Sequence, residues 1–226
     1  MKLIAIDTTE EACSAALLID DTVQENFELA PRRHSELILP MMDALLVDAG
    51  LSLDELDCLA FARGPGSFTG VRIAASVAQG AAFGAGLPVV PVSSLQALAQ
   101  GAYRERRAIA VLSALDARMQ EVYWAACRLG DGAIMRMVGG ETVGPPQAAV
   151  VPAGDDWIGV GSGWDSYAEI LSVRCGCELQ IDHDVRVHAQ DVASIAAALF
   201  VEGAAVPAEL ALPVYLRDQV AWAKSS

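Results

Sequence analysis

Two apolar runs set far apart in the chain close on an aspartate: Leu3-Ile4-Ala5-Ile6-Asp7, and Ala108 to Leu115 followed by Asp116. Each leads into two more strand-like runs. Cys13 to Ile19 and Thr22 to Leu29 flank the turn Asp20-Asp21, and Glu121 to Cys127 and Ala133 to Val138 flank Gly130-Asp131-Gly132. Short apolar runs joined by turn residues read as an antiparallel meander. A chain that makes the same meander twice is restricted to folds with an internal duplication.

The elements after each meander extend the parallel. In the first half, His34 to Ala49 carries apolar residues at Leu37, Met41 and Leu45 and again at Ile38, Met42 and Leu46, which is helical spacing. Pro40 within it is expected to kink the helix or delay its start. Cys58 to Ala62 then reads as a strand, Val71 to Phe83 as a helix and Val89 to Val92 as a strand, with Ser93-Ser94 capping a helix to about Tyr103. In the second half a strand at Trp157 to Val160 and helices at Trp164 to Leu171 and Gln190 to Phe200 repeat the order more loosely. The pattern predicts an α/β chain of two ribonuclease-H-like lobes, the fold of actin, sugar kinases and heat-shock ATPases, with the second lobe reduced. The charged break Arg104-Glu105-Arg106-Arg107 puts the boundary between residues 1–104 and 105–226, the first lobe being completed by a C-terminal segment. A length of 226 residues suffices for two small cores.

Composition narrows the function classes. The net charge of −14 rests on 29 acidic and 15 basic residues, and Lys2 and Lys224 are the only lysines. A protein that grips nucleic acid unaided needs a basic stripe; Arg104, Arg106 and Arg107 form one small cluster only. Five cysteines, mostly in apolar runs, and an opening that passes straight into a strand without a signal peptide predict reduced thiols and a cytoplasmic location. The Cys175-x-Cys177 pair has no second pair to complete a zinc site. The apolar region Val71 to Pro91 is interrupted by Arg72, Gln79 and glycines, so no membrane span is expected.

The motif that invites a nucleotide is Ala62-Arg63-Gly64-Pro65-Gly66-Ser67-Phe68-Thr69-Gly70-Val71-Arg72. It lacks the lysine of a Walker loop and the central serine of a nucleophile elbow. Two readings remain: backbone N–H groups at a helix N-terminus seating an anion, or a tight turn capped by Thr69. Asp7 and Asp116 occupy the cleft positions of actin-like ATPases, but Thr8-Thr9 and Ala117-Arg118 follow them where phosphate-binding glycines would be needed. Asp7, Thr8, Gly66, Ser67 and Asp116 are therefore candidates for a vestigial nucleotide cleft. No cofactor and no metal are expected: His34, His183 and His188 have no mate at helical spacing, and the acidic pairs Asp155-Asp156 and Asp182/Asp184 lack a supporting constellation. The helix from Val71 to Gly84 carries alanine or glycine on every face, which lets a second helix approach closely.

The segments LIAIDTT, HSELILPMM, GPGSFTGVRIAAS, LPVVPVSSLQALA, LDARMQEVY and PVYLR together closely resemble the TsaB (YeaZ) family, from Leu3 to Arg217. The resemblance implies a non-catalytic accessory subunit for threonylcarbamoyladenosine synthesis in tRNA. It implies pairing with the related catalytic subunit TsaD through first-lobe helices in a four-helix contact, with the ATPase TsaE joining and tRNA reached only through the complex. TsaD carries an H-x-x-x-H metal site; His34 matches its second histidine and Ala30 replaces the first. The expected interface residues are His34, Leu37, Met41, Leu45, Arg72, Ala75, Ala78, Gln79 and Ala82, with a homodimer through the same face when the partner is absent. Enlarging Ala78 or Ala82 is expected to abolish pairing without unfolding the chain. The alternative is a weak ATPase or metallopeptidase-like enzyme of the same fold.

Overall fold

The computed structural model describes residues 1–154, 156–176 and 179–217. The first half builds β1 (Lys2–Asp7), β2 (Ala12–Ile19), β3 (Thr22–Leu29), α1 (His34–Ala49), β4 (Cys58–Ala62), α2 (Phe68–Ala85), β5 (Val89–Val92) and α3 (Ser94–Arg106). Strands β1 to β3 form the antiparallel meander, with Ile19 opposite Thr22 at the first turn and Asp7 opposite Ser14. Strands β4 and β5 join β1 in parallel on its other side, giving the order β3-β2-β1-β4-β5.

The second half builds β6 (Ala110–Asp116), β7 (Val122–Leu129), β8 (Met135–Met137), β9 (Thr142–Gly144), β10 (Ile158–Val160), α4 (Ser162–Cys175), β11 (Gln180–Asp182) and α5 (Ala189–Val201). Its sheet runs β11-β10-β6-β7-β8, with β9 also paired to β7. Strand β6 has antiparallel β7 on one side and parallel β10 on the other, as β1 has β2 and β4. The duplication is therefore one of sheet order as well as of sequence pattern, and the fold is two ribonuclease-H-like lobes.

Alternation along β1 divides the core. Leu3 and Ala5 point to the layer between the sheets, where α3 (Leu95, Leu98) and α5 (Val192, Ile195) meet Val111 and Leu115 of β6. Ile4 and Ile6 point outward, where Ile38 and Met42 of α1 and Ala74 and Ala78 of α2 cover them. On the far side, Trp124 and Trp164 pack over Leu112 beneath α4, and Trp164 Nε1 donates to the Leu112 carbonyl at 2.9 Å. Helix α5 belongs by sequence to the second half but packs on β1, β2, β4 and β5. Its start is tied there: the Ala189 N–H donates to Ser14 Oγ at 2.9 Å, and Gln190 donates from backbone and side chain to Glu25.

Several local expectations are corrected. Pro40 lies inside an unbroken α1, because it and Glu36, whose carbonyl loses its partner, are both on the exposed side. Helix α2 begins three residues before Val71, and its cap is Ser67 rather than Thr69: Ser67 Oγ accepts from the Gly70 N–H at 3.0 Å. Strands β9 and β11 were not anticipated; each has three residues, too few for a period to show. The Cys177 half of the C-x-C pair and Asp155 lie outside the described residues.

Candidate functional site

The GPGSFTG loop leaves the end of β4 and packs on the turn that follows β1. Asp7, Thr8 and Thr9 are all fully buried. Asp7 Oδ1 accepts from the Thr9 N–H at 3.1 Å and the Thr9 hydroxyl at 2.6 Å, while Oδ2 is buried without a hydrogen-bond partner among the described residues. Burial pushes the Asp7 carboxyl up to about 7, against the pull of the Thr9 hydrogen bonds. The loop seals this turn: the Ser67 N–H donates to the Thr9 carbonyl at 2.7 Å, and Thr8 Oγ1 donates to the Gly70 carbonyl at 2.7 Å.

The loop glycines are needed for that backbone-on-backbone approach. A Cβ on Gly66 would lie 2.5 Å from the Thr9 carbonyl oxygen and 2.8 Å from Thr9 Cβ. One on Gly70 would overlap the Thr8 carbonyl oxygen and sit 3.0 Å from its carbon. The space a phosphate would occupy over these glycines is filled by Thr8 and Thr9, so the residues present do not fit a phosphate cradle. The comparable loop of the second lobe, Gly159-Val160-Gly161-Ser162-Gly163, is spent in the same way. A Cβ on Gly161 would lie 2.6 Å from Leu98 Cδ2, and one on Gly163 would lie 2.8 Å from Ala114 Cβ.

The structure thus brings Asp7, Thr8, Gly66 and Ser67 together, whereas Asp116 shares no hydrogen-bond partner with them among the described residues. Asp116 accepts from Arg118 through its N–H at 2.9 Å and its guanidinium at 3.1 Å, and its own N–H donates to Ser162 Oγ at 3.2 Å. Arg118, Met119 and Gln120 follow in left-handed conformation, with φ of 60°, 56° and 61°. Arg217 holds this strained turn by donating to the Ala117 carbonyl at 3.1 Å and pairing with Glu121. Beside the loop, Glu141 of the second lobe accepts from Arg63 Nη2 at 2.7 Å and from the Ser93 hydroxyl at the start of α3.

A metal does not fit the histidine position either. His34 is buried with Nε2 3.1 Å from the Ala12 carbonyl, an acceptor that fixes the proton on that nitrogen. Ala30 is buried and offers no ligand. His183 contacts Asp165, and His188 stacks on Phe27 with ring centroids 4.2 Å apart while its Nδ1 meets Glu25 at 2.8 Å. The arginine cluster is engaged as well. Arg104 pairs with Asp191, Arg106 with Asp182, and Arg107 lies over the Tyr103 ring. Cys13, Cys58 and Cys127 are buried, and burial pushes each thiol up to about 12.

The outer face of α1 and α2 carries several exposed apolar residues. Of the expected interface residues, Ala78 and Ala82 are 0% exposed and Ala75, Leu45 and His34 are also buried, all packed on their own sheet. They are core residues, and a larger side chain at Ala78 or Ala82 would disturb folding first. Leu37, Met41, Arg72 and Gln79 are half-buried. Val47 and Phe83, 68% and 70% exposed, stand on the open side together with Leu39. On α2 a Cβ added at Gly80 or Gly84 would meet nothing within 4 Å, so that side is flat and open. Phe83, Val47 and Leu39 lie outside the expected set, and each is a large apolar residue off the core-facing stripe. Arg72 is held over the Phe68 ring at 3.2 Å from its centroid, beside Tyr215.

These features define a two-lobed, actin-like protein whose glycine loops are closed by its own backbone and side chains and whose first two helices present exposed apolar residues on their outer side. A profile of the TsaD family, tRNA N6-adenosine threonylcarbamoyltransferase, matches residues 27–224. The tRNA threonylcarbamoyladenosine biosynthesis protein TsaB of Escherichia coli is 44% identical over 99% of this chain and 98% of its own. The protein of the same name from Haemophilus influenzae is 39% identical over 99% and 97%. The solved structure of YeaZ from Pseudomonas aeruginosa superposes with a TM-score of 0.86 at 44% identity, covering 95% of this chain and 99% of that one. The chain belongs to the TsaB (YeaZ) family.

Proposed function

We propose that this chain serves tRNA threonylcarbamoyladenosine biosynthesis as a non-catalytic subunit. It pairs with a TsaD-type catalytic subunit and supports transfer of the threonylcarbamoyl group to the adenosine beside the anticodon. TsaE joins the pair in the cytoplasm, and tRNA is reached through the assembly. The observation that carries this reading is the open apolar face of α1 and α2, with Leu39, Val47 and Phe83 exposed beside the flat line of Gly80 and Gly84. Exposed apolar patches of this kind mark contact surfaces. The closed glycine loops support a role other than nucleotide turnover.

The test is co-elution with TsaD. Val47→Glu with Phe83→Glu places two charges on the open face without touching the core, so the chain keeps its circular dichroism and melting temperature while the complex is lost. Survival of the complex in that double variant would mean that pairing uses another surface.

A further inference from the structure

The helix-pair face has a one-sided charge. Residues 34–62 contain six carboxylates, Glu36, Asp43, Asp48, Asp54, Glu55 and Asp57, and no lysine or arginine, while α2 carries no charged residue after Arg72. Three of the six have local partners: Glu36 lies 3.7 Å from Arg33, Glu55 caps Ser52, and Asp57 accepts from the Lys2 N–H. Asp43, Asp48 and Asp54 are exposed and have no cation within ion-pair distance among the described residues.

Two of these three line the apolar groove itself. Asp43 stands with Leu39, Leu46, Val47 and Ala81 where α1 meets α2, and Asp54 stands with Gly80, Gly84 and Leu53 at the end of α2. The C-terminal turn of neither helix contains a basic residue. A helix C-terminus carries about half a negative charge and is normally balanced by Lys or Arg. Here the groove is bordered by free carboxylates, and the ends of both helices go unbalanced.

We infer that the α1–α2 groove is a socket for a helical element of the partner that sets apolar residues between lysines or arginines, those cations facing Asp43, Asp54 and the helix C-termini. The inference rests on the pairing proposed above and adds the chemistry of the partner's contact. It also separates heterologous from self-association. In a two-fold contact centred on this groove, Asp43 and Asp54 of one copy approach those of the other, and the groove lining holds no lysine or arginine. The nearest cations of the face, Arg33 and Arg72, stand at the opposite, N-terminal ends of α1 and α2. Salt therefore acts in opposite directions on the two assemblies: screening weakens the pairing with a cationic partner and favours the homodimer.

The experiment measures binding to TsaD by biolayer interferometry at 50 and 500 mM NaCl, and self-association by sedimentation equilibrium at the same salts. These are run for the wild type, Asp43→Asn/Asp54→Asn and Asp43→Lys/Asp54→Lys. Affinity for TsaD is expected to fall about tenfold with salt in the wild type and to lose most of that dependence in the Asn variant. The Lys variant is expected to bind at least about tenfold more weakly at low salt with an unchanged melting temperature. Self-association is expected to be stronger at high salt than at low. A complex that forms equally well in all three chains at both salts overturns the cationic socket while leaving the proposed pairing standing. Failure of the wild type to bind TsaD at either salt overturns the pairing and the socket together.

Discussion

Gly70→Ala separates the two uses a glycine loop can have. If the loop were an open anion seat, an alanine in its last position would cost binding and little stability. In this fold the added Cβ would overlap the Thr8 carbonyl oxygen and lie 3.0 Å from the Thr8 carbon and 3.1 Å from Ser67 Oγ. None of these atoms is the free end of a flexible side chain except the serine hydroxyl, and that hydroxyl is the α2 cap. The first turn of α2 must therefore retreat from β1 by on the order of 1 Å to restore normal contact. That movement stretches the 2.7 Å hydrogen bond from Thr8 Oγ1 to the Gly70 carbonyl, worth about 1 kcal/mol net. It also disturbs the Ser67 cap, worth about another 1 kcal/mol. Overpacking adds about 1–3 kcal/mol, so the substitution should cost about 3–5 kcal/mol, a large share of the roughly 5–15 kcal/mol that holds a typical domain together.

The assay is urea unfolding followed by circular dichroism, with Gly84→Ala as the matched control. Gly84 sits in the same helix with open space where its Cβ would go, so alanine there should stabilise by about 0.5–1 kcal/mol through helix propensity alone. A Gly70→Ala chain within about 0.5 kcal/mol of the wild type would refute the reasoning: the loop would have room to spare, and the phosphate-cradle reading would return.

Three further outcomes follow from the geometry. Asp7 is protonated more readily folded than unfolded, so its contribution is fully present below about pH 4 and is lost as pH rises through about 7. Asp7→Asn should flatten the stability profile between about pH 4 and pH 7, read from urea midpoints at a pH series. Glu141→Ala strands the Arg63 guanidinium and Ser93 hydroxyl at the contact between lobes and should cost about 2–4 kcal/mol; a double-mutant cycle with Arg63→Met should show positive coupling. Met119→Gly relieves one of three successive left-handed residues and should raise the melting temperature slightly, the gain coming from about 1 kcal/mol of backbone strain removed.

The sequence announced the duplication because aspartate-ended strands and meander turns are local signals, and the α5 and β10 positions followed from the same pattern. What it left ambiguous was decided by contacts between distant residues. Whether Gly66 and Gly70 face a ligand or a neighbouring backbone depends on Thr8 and Thr9, some sixty residues earlier in the chain. The alanines of α2 misled for a different reason. Alanine is small on any face, so composition alone does not say which side is buried; the stripe Val71, Ala74, Ala78 and Ala82 does, at helical spacing, and it lies on the sheet. Pro40 reads as a breaker because an interior proline removes a hydrogen bond and crowds the carbonyl four residues back; here that carbonyl belongs to Glu36 on the exposed side of α1, where water can reach it.

The closed loop and the open helix face are mechanically one feature. Helix α2 is launched by the residues that pack on Thr8 and Thr9, so the depth to which Gly66 and Gly70 let the loop settle sets the height of α2 above β1 and β4. The same settling fixes the positions of Gly80, Phe83 and Gly84 relative to Val47 on α1, whose inner side rests on β2 through Ile38 and Met42. A loop that opened to admit a phosphate would lift the first turn of α2 and tilt the outer groove with it. Ligand entry at the cleft and a fixed outer face are therefore competing demands on one helix. Filling the cleft with the chain's own backbone resolves the conflict in favour of the face, giving a rigid surface at the expense of a nucleotide site. By the same linkage, Gly70→Ala should weaken TsaD binding even though Gly70 lies on the buried side of α2, whereas an equally destabilising change in α4 should not.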